Sequence, residues 1–295
     1  MSKQLKSYIF AFLAIILWST VATAFKFSLE QYDFIQVLFI SSATATLVLL
    51  IINISQKNFK TINSSNNKEI YKSILGGILN PFIYYLILFK AYDLLPAQMA
   101  QSLNYTWPIV LVILTAIIYK YRLKLKTYLG LAFGFLGVLI ISFKGNISIP
   151  SDISIIGLIL AAGSSIVWAL FWINNSRIKL KNELKLLISF FIGFLLISFA
   201  LFLFSELPTF EGKAFLSAIY SGLFEMSITF ILWNKALELT SRTEKISNII
   251  FLSPFISLFF ISIFLNETIL PSTYIGLSII ITGIFIDKFK FSSKN

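Results

Sequence analysis

Leu103-Asn104-Tyr105-Thr106-Trp107-Pro108 interrupts an apolar run that extends from about Ala97 to Tyr119. The run is long enough to cross a bilayer, which takes roughly 20 mostly apolar residues. Leucine and isoleucine would fill it at least cost. Instead Asn104, Thr106, two aromatic rings and a proline stand in its middle. Proline removes a backbone donor and frees a carbonyl one turn earlier. In hydrocarbon such a break is tolerated only where protein or a water-filled cavity takes up the freed groups. The segment is therefore expected to line a cavity between helices.

The remaining sequence agrees with a membrane setting. Of 295 residues, 57% are hydrophobic and 13% charged, with mean hydropathy +0.86. Soluble domains carry about 25% charged residues. The absence of cysteine removes disulfides, thiol nucleophiles and thiolate metal sites, and the absence of histidine removes Ser-His and Cys-His catalysis and the commonest metal ligand. No Gly-x-x-x-x-Gly-Lys phosphate loop is present, so no ATPase is expected. Neither a metal nor a cofactor is expected. A net charge of +11 would suggest nucleic acid in a soluble protein. Here it is read as loop lysines that set orientation, with no nucleic-acid partner.

The apolar runs predict an all-α integral membrane protein with ten spans, at about 7–28, 34–54, 70–91, 97–119, 126–143, 153–173, 184–204, 213–237, 245–265 and 270–287. The longest connection, about 55–69, is rich in Asn, Ser and Lys. Ala22-Thr23-Ala24 resembles a signal-peptidase site behind Lys3 and Lys6. The length of the run and the symmetry described next argue that this helix is retained. Every Lys and Arg except Lys26, Lys90, Lys144 and Lys213 falls in a terminus or an even-numbered loop. By the positive-inside rule those segments are cytoplasmic, both termini included. The expected location is the inner or plasma membrane.

The chain also repeats itself. At an offset of 145, Gly77 matches Gly222 and Lys90-Ala91 matches Lys235-Ala236. At an offset of 146, Pro108 matches Pro254, Gly130 matches Gly276 and Gly137 matches Gly283. The expected units are residues 1–148 and 149–295, five helices each. Five is odd, so the second unit enters from the opposite side and the repeat is inverted. That architecture is typical of secondary transporters, with the substrate near the midplane between the halves.

Among the 13 acids, only Glu225 falls in the middle of a span. An acid there costs about 2.5 kcal/mol or more, which makes it a functional candidate. It would bind a substrate ammonium group or exchange a coupling proton; the alternative is a carboxyl that ties two helices together. Its repeat partner is Asn80, followed by Pro81. Trp18, Trp107, Tyr84 and Tyr105 lie deep in their spans. Trp168, Trp172 and Trp233 lie toward the inner ends, where an interfacial belt is the ordinary reading. Glu267, at a predicted helix end, reads as a structural cap.

Pro254, the turn Leu265-Asn266-Glu267-Thr268, Gly276 and Gly283 together resemble the EamA-type ten-helix members of the drug/metabolite transporter superfamily. The first half keeps Pro108, Gly130 and Gly137 but has Tyr119-Lys120-Tyr121-Arg122 where the acid would be. Asn104-Tyr105-Thr106-Trp107-Pro108 further resembles a stretch of bacterial aromatic amino-acid exporters in that superfamily. The resemblance implies a secondary transporter, not an enzyme, exporting small organic metabolites, amino acids included, by alternating access. Asn104, Tyr105, Trp107, Glu225, Asn80, Tyr84 and Trp18 are the expected substrate residues, Glu225 the proton-coupling candidate, and Pro81, Pro108 and Pro254 the helix hinges. Nucleosides, sugar derivatives and cationic drugs are alternative substrates. A lipid-modifying membrane enzyme is the alternative of another class, disfavoured by the lack of His, Cys and clustered intramembrane acids.

Overall fold

The computed structural model describes residues 2–61, 67–120, 122–123, 125–146, 150–240 and 249–288. Among them the chain forms ten helical spans and no strand: α1 (Lys3–Leu29), α2 (Phe34–Ser55), α3 (Asn67–Leu94), α4 (Ala97–Tyr119), α5 (Leu125–Ser142), α6 (Ile155–Ser176), α7 (Asn182–Phe204), α8 (Gly212–Leu239), α9 (Ile250–Leu265) and α10 (Pro271–Lys288). The ten expected spans are all present. The expected start of the ninth at 245, the division at 148/149 and several of the counted basic residues (Lys124, Arg242, Lys245, Lys290 and Lys294) lie outside the described residues.

Local sequence sets the helix ends. The Asp33 carboxylate accepts from the Ile35 and Gln36 backbone N–H groups at 2.7 and 2.9 Å, and the Gln36 side chain accepts from Asp33 N–H at 3.0 Å. This capping box satisfies donors that the first turn of α2 would leave open. At the other end of the unit, α4 stops at Lys120 (φ 54°) and α9 at Asn266 (φ 53°), both left-handed. These two are repeat mates. The turn is thus shared even where the first half lacks the family-like acid.

The repeat becomes physical where α5 meets α10. A Cβ built on Gly137 would stand 2.5 Å from the Gly276 carbonyl oxygen, and one on Gly283 would stand 2.5 Å from that of Gly130. Exchanging each glycine for its repeat mate converts the first contact into the second. The same holds for two hydrogen bonds. Ser41 Oγ donates to Ala218 O at 2.9 Å, and Ser189 Oγ donates to Ser73 O at 2.8 Å. A pseudo-two-fold axis relates the halves at the level of single contacts. Small residues allow the backbones to approach closely, which is the main source of helix association in lipid.

This packing carries a quantitative expectation. Gly137→Ala and Gly283→Ala should each lower stability by about 1–3 kcal/mol through overpacking. Gly163→Ala, where an added Cβ meets no atom within 4 Å, should leave it unchanged. Thermal unfolding of the detergent-solubilised protein checks all three.

Candidate substrate cavity

Three spans are interrupted near mid-membrane and a fourth begins at the matching point, which makes two symmetry-related pairs. In the first pair, α3 breaks at Asn80 (φ −147°, ψ 118°) and α8 at Glu225 to Ser227 (Ser227 φ −133°, ψ −76°). In the second, α4 breaks at Tyr105-Thr106, and α9 starts with a 3-10 turn over Ile250–Leu252. Pro108 and Pro254 lie in the first turn of the helices that follow. There a missing N–H removes no intrahelical bond. These prolines start the helices that follow the breaks.

Hydroxyl groups take up the carbonyls that the breaks release. Ser227 Oγ donates to Gly222 O at 2.8 Å and to Leu223 O at 2.9 Å, and Thr229 donates to Phe224 O. Thr106 Oγ1 donates to Leu103 O at 2.8 Å. Ser19 of α1 donates to Ile15 O at 2.6 Å and lies 3.2 Å from Ser253 Oγ, which joins α1 to α9 beside the second pair of breaks. At these carbonyls the donors that hydrocarbon cannot supply come from within the protein.

Between these breaks lies a cavity of about 530 Å³, within the range of about 300–1,000 Å³ for small-molecule sites. Its wall comes from α1, α3, α4, α6, α8 and α9, which are three symmetry-related pairs. All five tryptophans line it. Trp168 (7% exposed) and Trp233 (5% exposed) are buried, so the interfacial-belt reading of Trp168, Trp172 and Trp233 is overturned. The inverted packing turns these side chains inward. Trp18 lies 5.6 Å from Trp233 between ring centroids, and Tyr84 lies 4.5 Å from Trp168. Phe230 joins the group, 6.0 Å from Trp18 and 5.8 Å from Trp168. At one end the lining residues Phe25 and Tyr92 are buried. At the end that carries the N-terminus, Tyr119 and Ser176 are exposed.

Glu225 is the one charged side chain among the described residues of the wall. It is 9% exposed and accepts a hydrogen bond from Tyr85 Oη at 2.9 Å. Asn104, Tyr105, Trp107, Tyr84 and Trp18 line the same cavity, as the sequence predicts. Asn104 is committed to the wall itself. Its Oδ1 accepts from Tyr84 Oη at 3.3 Å and its Nδ2 donates to Ser164 Oγ at 2.8 Å, linking α3, α4 and α6. Tyr105 hydrogen-bonds Ser253 of α9.

Asn80 is the exception among the expected substrate residues. It is fully buried, does not line the cavity, and neither polar atom of its amide has a partner among the described residues. Pro81, beside it, packs against Gly193 of α7. The break at Asn80 therefore meets α7 while its mate at Glu225 faces the cavity. Glu267 fits its capping role. Its carboxylate accepts from Ala97 N–H at 2.8 Å and Gln98 N–H at 3.4 Å, and so closes the first turn of α4 from the opposite half. Sequence reasoning missed Gln101 and Tyr92, which line the cavity. The i, i+3, i+4 spacing of Gln101 with Asn104 and Tyr105 was the available signal for Gln101.

The EamA-like transporter family matches residues 5–143 and, separately, residues 155–286. The chain belongs to this family. The two matches correspond to the two five-helix halves, and the protein is a multi-pass membrane transporter. It is 26% identical over 216 residues to "Uncharacterized transporter YvbV" of Bacillus subtilis (strain 168), covering 72% of this chain and 69% of that one. It is 24% identical over 284 residues to an "Uncharacterized transporter" of Archaeoglobus fulgidus, covering 96% and 98%. A solved structure titled "Crystal structure of protein" shares the fold, with TM-score 0.66, 17% identity and 95% of each chain covered.

Removing the amide of Asn104 should act on the wall rather than on a ligand alone. Asn104→Leu strands the Tyr84 hydroxyl, while Ser164 keeps its bond to Ala161 O, and a buried polar group without its partner costs about 1–3 kcal/mol. The expected result is a lower melting temperature in the absence of any ligand, with Trp107→Phe nearer to wild type.

Proposed function

We propose that this EamA-family protein is a secondary exporter of small organic molecules that carry an ammonium group on an apolar or aromatic body. Aromatic amino acids are the metabolite version of that class, and cationic drugs share its chemistry. The observation that carries the reading is a cavity walled by tryptophan and tyrosine in which Glu225 supplies the one charge. Aromatic faces attract organic cations, by about 2 kcal/mol or more when desolvated. A carboxylate beside them supplies the countercharge. Uncharged nucleosides and sugar derivatives would leave that carboxylate with its Tyr85 hydrogen bond but no countercharge.

Direction and coupling follow the same reasoning. The lysine and arginine distribution supports a cytoplasmic N-terminal side of the bundle. The exposed end of the cavity, at Tyr119 and Ser176, lies on that side. This supports loading from the cytoplasm and an inward-facing state. Alternating access then requires the two halves to rock about the midplane, opening the end now closed by Phe25 and Tyr92. Glu225 would alternate between substrate and proton.

Counterflow in proteoliposomes tests the reading, using labelled aromatic amino acids, amines and nucleosides with and without a pH gradient. Accumulation of amines or amino acids is expected, with a response to the gradient. Glu225→Gln should reduce it at least tenfold while the protein stays folded. Undiminished transport by that variant across pH would remove Glu225 from the mechanism.

A further inference from the structure

Tyr84 and Tyr85 are neighbours on α3, and successive side chains on a helix point about 100° apart. The two phenols therefore do different work. Tyr84 lines the cavity, and its Oη donates to Asn104 Oδ1 at 3.3 Å. Tyr85 does not line it. Tyr85 is fully buried, with its ring centroid 4.7 Å from that of Tyr84 and 5.4 Å from that of Phe89, and its Oη donates to Glu225 Oε1 at 2.9 Å. Packing against these two rings fixes the phenol in place. Glu225 has no such constraint of its own. It stands on a long, rotatable side chain at the end of the first segment of α8, where the helix breaks. The Tyr85 hydroxyl reaches the carboxylate from behind the cavity wall, so a ligand in the cavity does not compete for it. The other oxygen, Oε2, accepts no hydrogen bond among the described residues and is not sealed. One oxygen is anchored to the protein and the other is left to the cavity.

We propose that Tyr85 is the positioning residue of the ammonium site, holding the Glu225 carboxylate so that Oε2 faces the ligand. The inference rests on the ammonium reading of Glu225 and names the group that makes that carboxylate usable. A donor to a carboxylate is among the stronger protein hydrogen bonds. Without it the ligand would have to order the carboxylate on binding, a cost that a pre-set geometry avoids. Tyr85 belongs to the first half and Glu225 to the second, 140 residues away, so the site is assembled across the halves and neither five-helix unit carries it alone. The repeat supplies a comparison. At the offset of 145 that relates Gly77 to Gly222, the mate of Tyr85 is Phe230 and the mate of Glu225 is Asn80. Phe230 is buried and packs against Trp18 and Trp168 without a hydroxyl. A bare ring therefore serves the packing in one half. The hydroxyl is present only in the half where an acid receives it.

Tyramine and tyrosol form a matched probe pair, since they differ only in an ammonium group against a hydroxyl. Binding of each to the purified full-length protein in lipid nanodiscs is measured. The wild type is expected to prefer tyramine. Tyr85→Phe should lower that preference about tenfold, the scale of one hydrogen bond to a charged group, and leave tyrosol binding unchanged. The unchanged tyrosol arm also reports that the variant is folded. Glu225→Asp keeps the charge but draws it one methylene away from Tyr85. It should lower the preference to a similar degree, and it decides the matter even if Tyr85→Phe does not fold. In the Glu225→Gln background, which has no charge to place, Tyr85→Phe should cause no further loss, whereas a packing role would persist there. A preference that survives Tyr85→Phe or Glu225→Asp, an equal loss of both probes by folded Tyr85→Phe, or a further loss in the Glu225→Gln background overturns the role of Tyr85 and leaves the ammonium reading standing. A wild type without preference for tyramine overturns the ammonium reading and this inference with it.

Discussion

Hydrocarbon offers a polypeptide nothing to hydrogen-bond with, and the structure is organised around meeting that constraint at the helix breaks. Each break frees carbonyls that a continuous helix would have used. Ser227, Thr229 and Thr106 supply donors to them at short range. Because these hydroxyls come from the protein, the breaks hold without a ligand. The segments after the breaks then start afresh, with proline in the first turn, so side chains at the midplane point into the space between helices.

Symmetry provides the scaffold and its failure provides the chemistry. The contacts of Gly137 with Gly276 and Gly283 with Gly130 are repeat mates, as are the bonds from Ser41 and Ser189. Both halves need these contacts for close packing, so both keep the small residue or the hydroxyl. The midplane residues have no such duty. Glu225 and Asn80 occupy equivalent breaks, yet one faces the aromatic cavity and the other lies buried with Pro81 against α7. Asn104-Tyr105-Thr106-Trp107 likewise has Ile250-Phe251-Leu252-Ser253 as its mate. An exactly symmetric cavity would have two equal ends and two equal charges. This one has a single carboxylate and a polar amide on one side of it.

Much of the fold was legible in the chain. Apolar runs marked ten spans because a bilayer sets a minimum length. Paired glycines and prolines at a constant offset marked the inverted repeat. The candidate site was legible in part. Glu225 stood out since an acid at mid-membrane is costly, and the polar break in α4 stood out since it interrupts leucine and isoleucine. The tryptophans near the inner ends were misread, because depth along a helix says nothing about which face a ring occupies.

The sequence by itself determined the membrane setting, the span count, the repeat and the location of the break in α4, all of which depend on composition, length and period along the chain. Only the tertiary structure decided which polar groups remain for a ligand. Tyr85 and Glu225 bond across 140 residues, and Asn104 meets Ser164 across 60. A helical period fixes which residues share a face, but the partner on the other side comes from another helix. That is why Asn104 proves committed to the wall and Asn80 lies off the cavity.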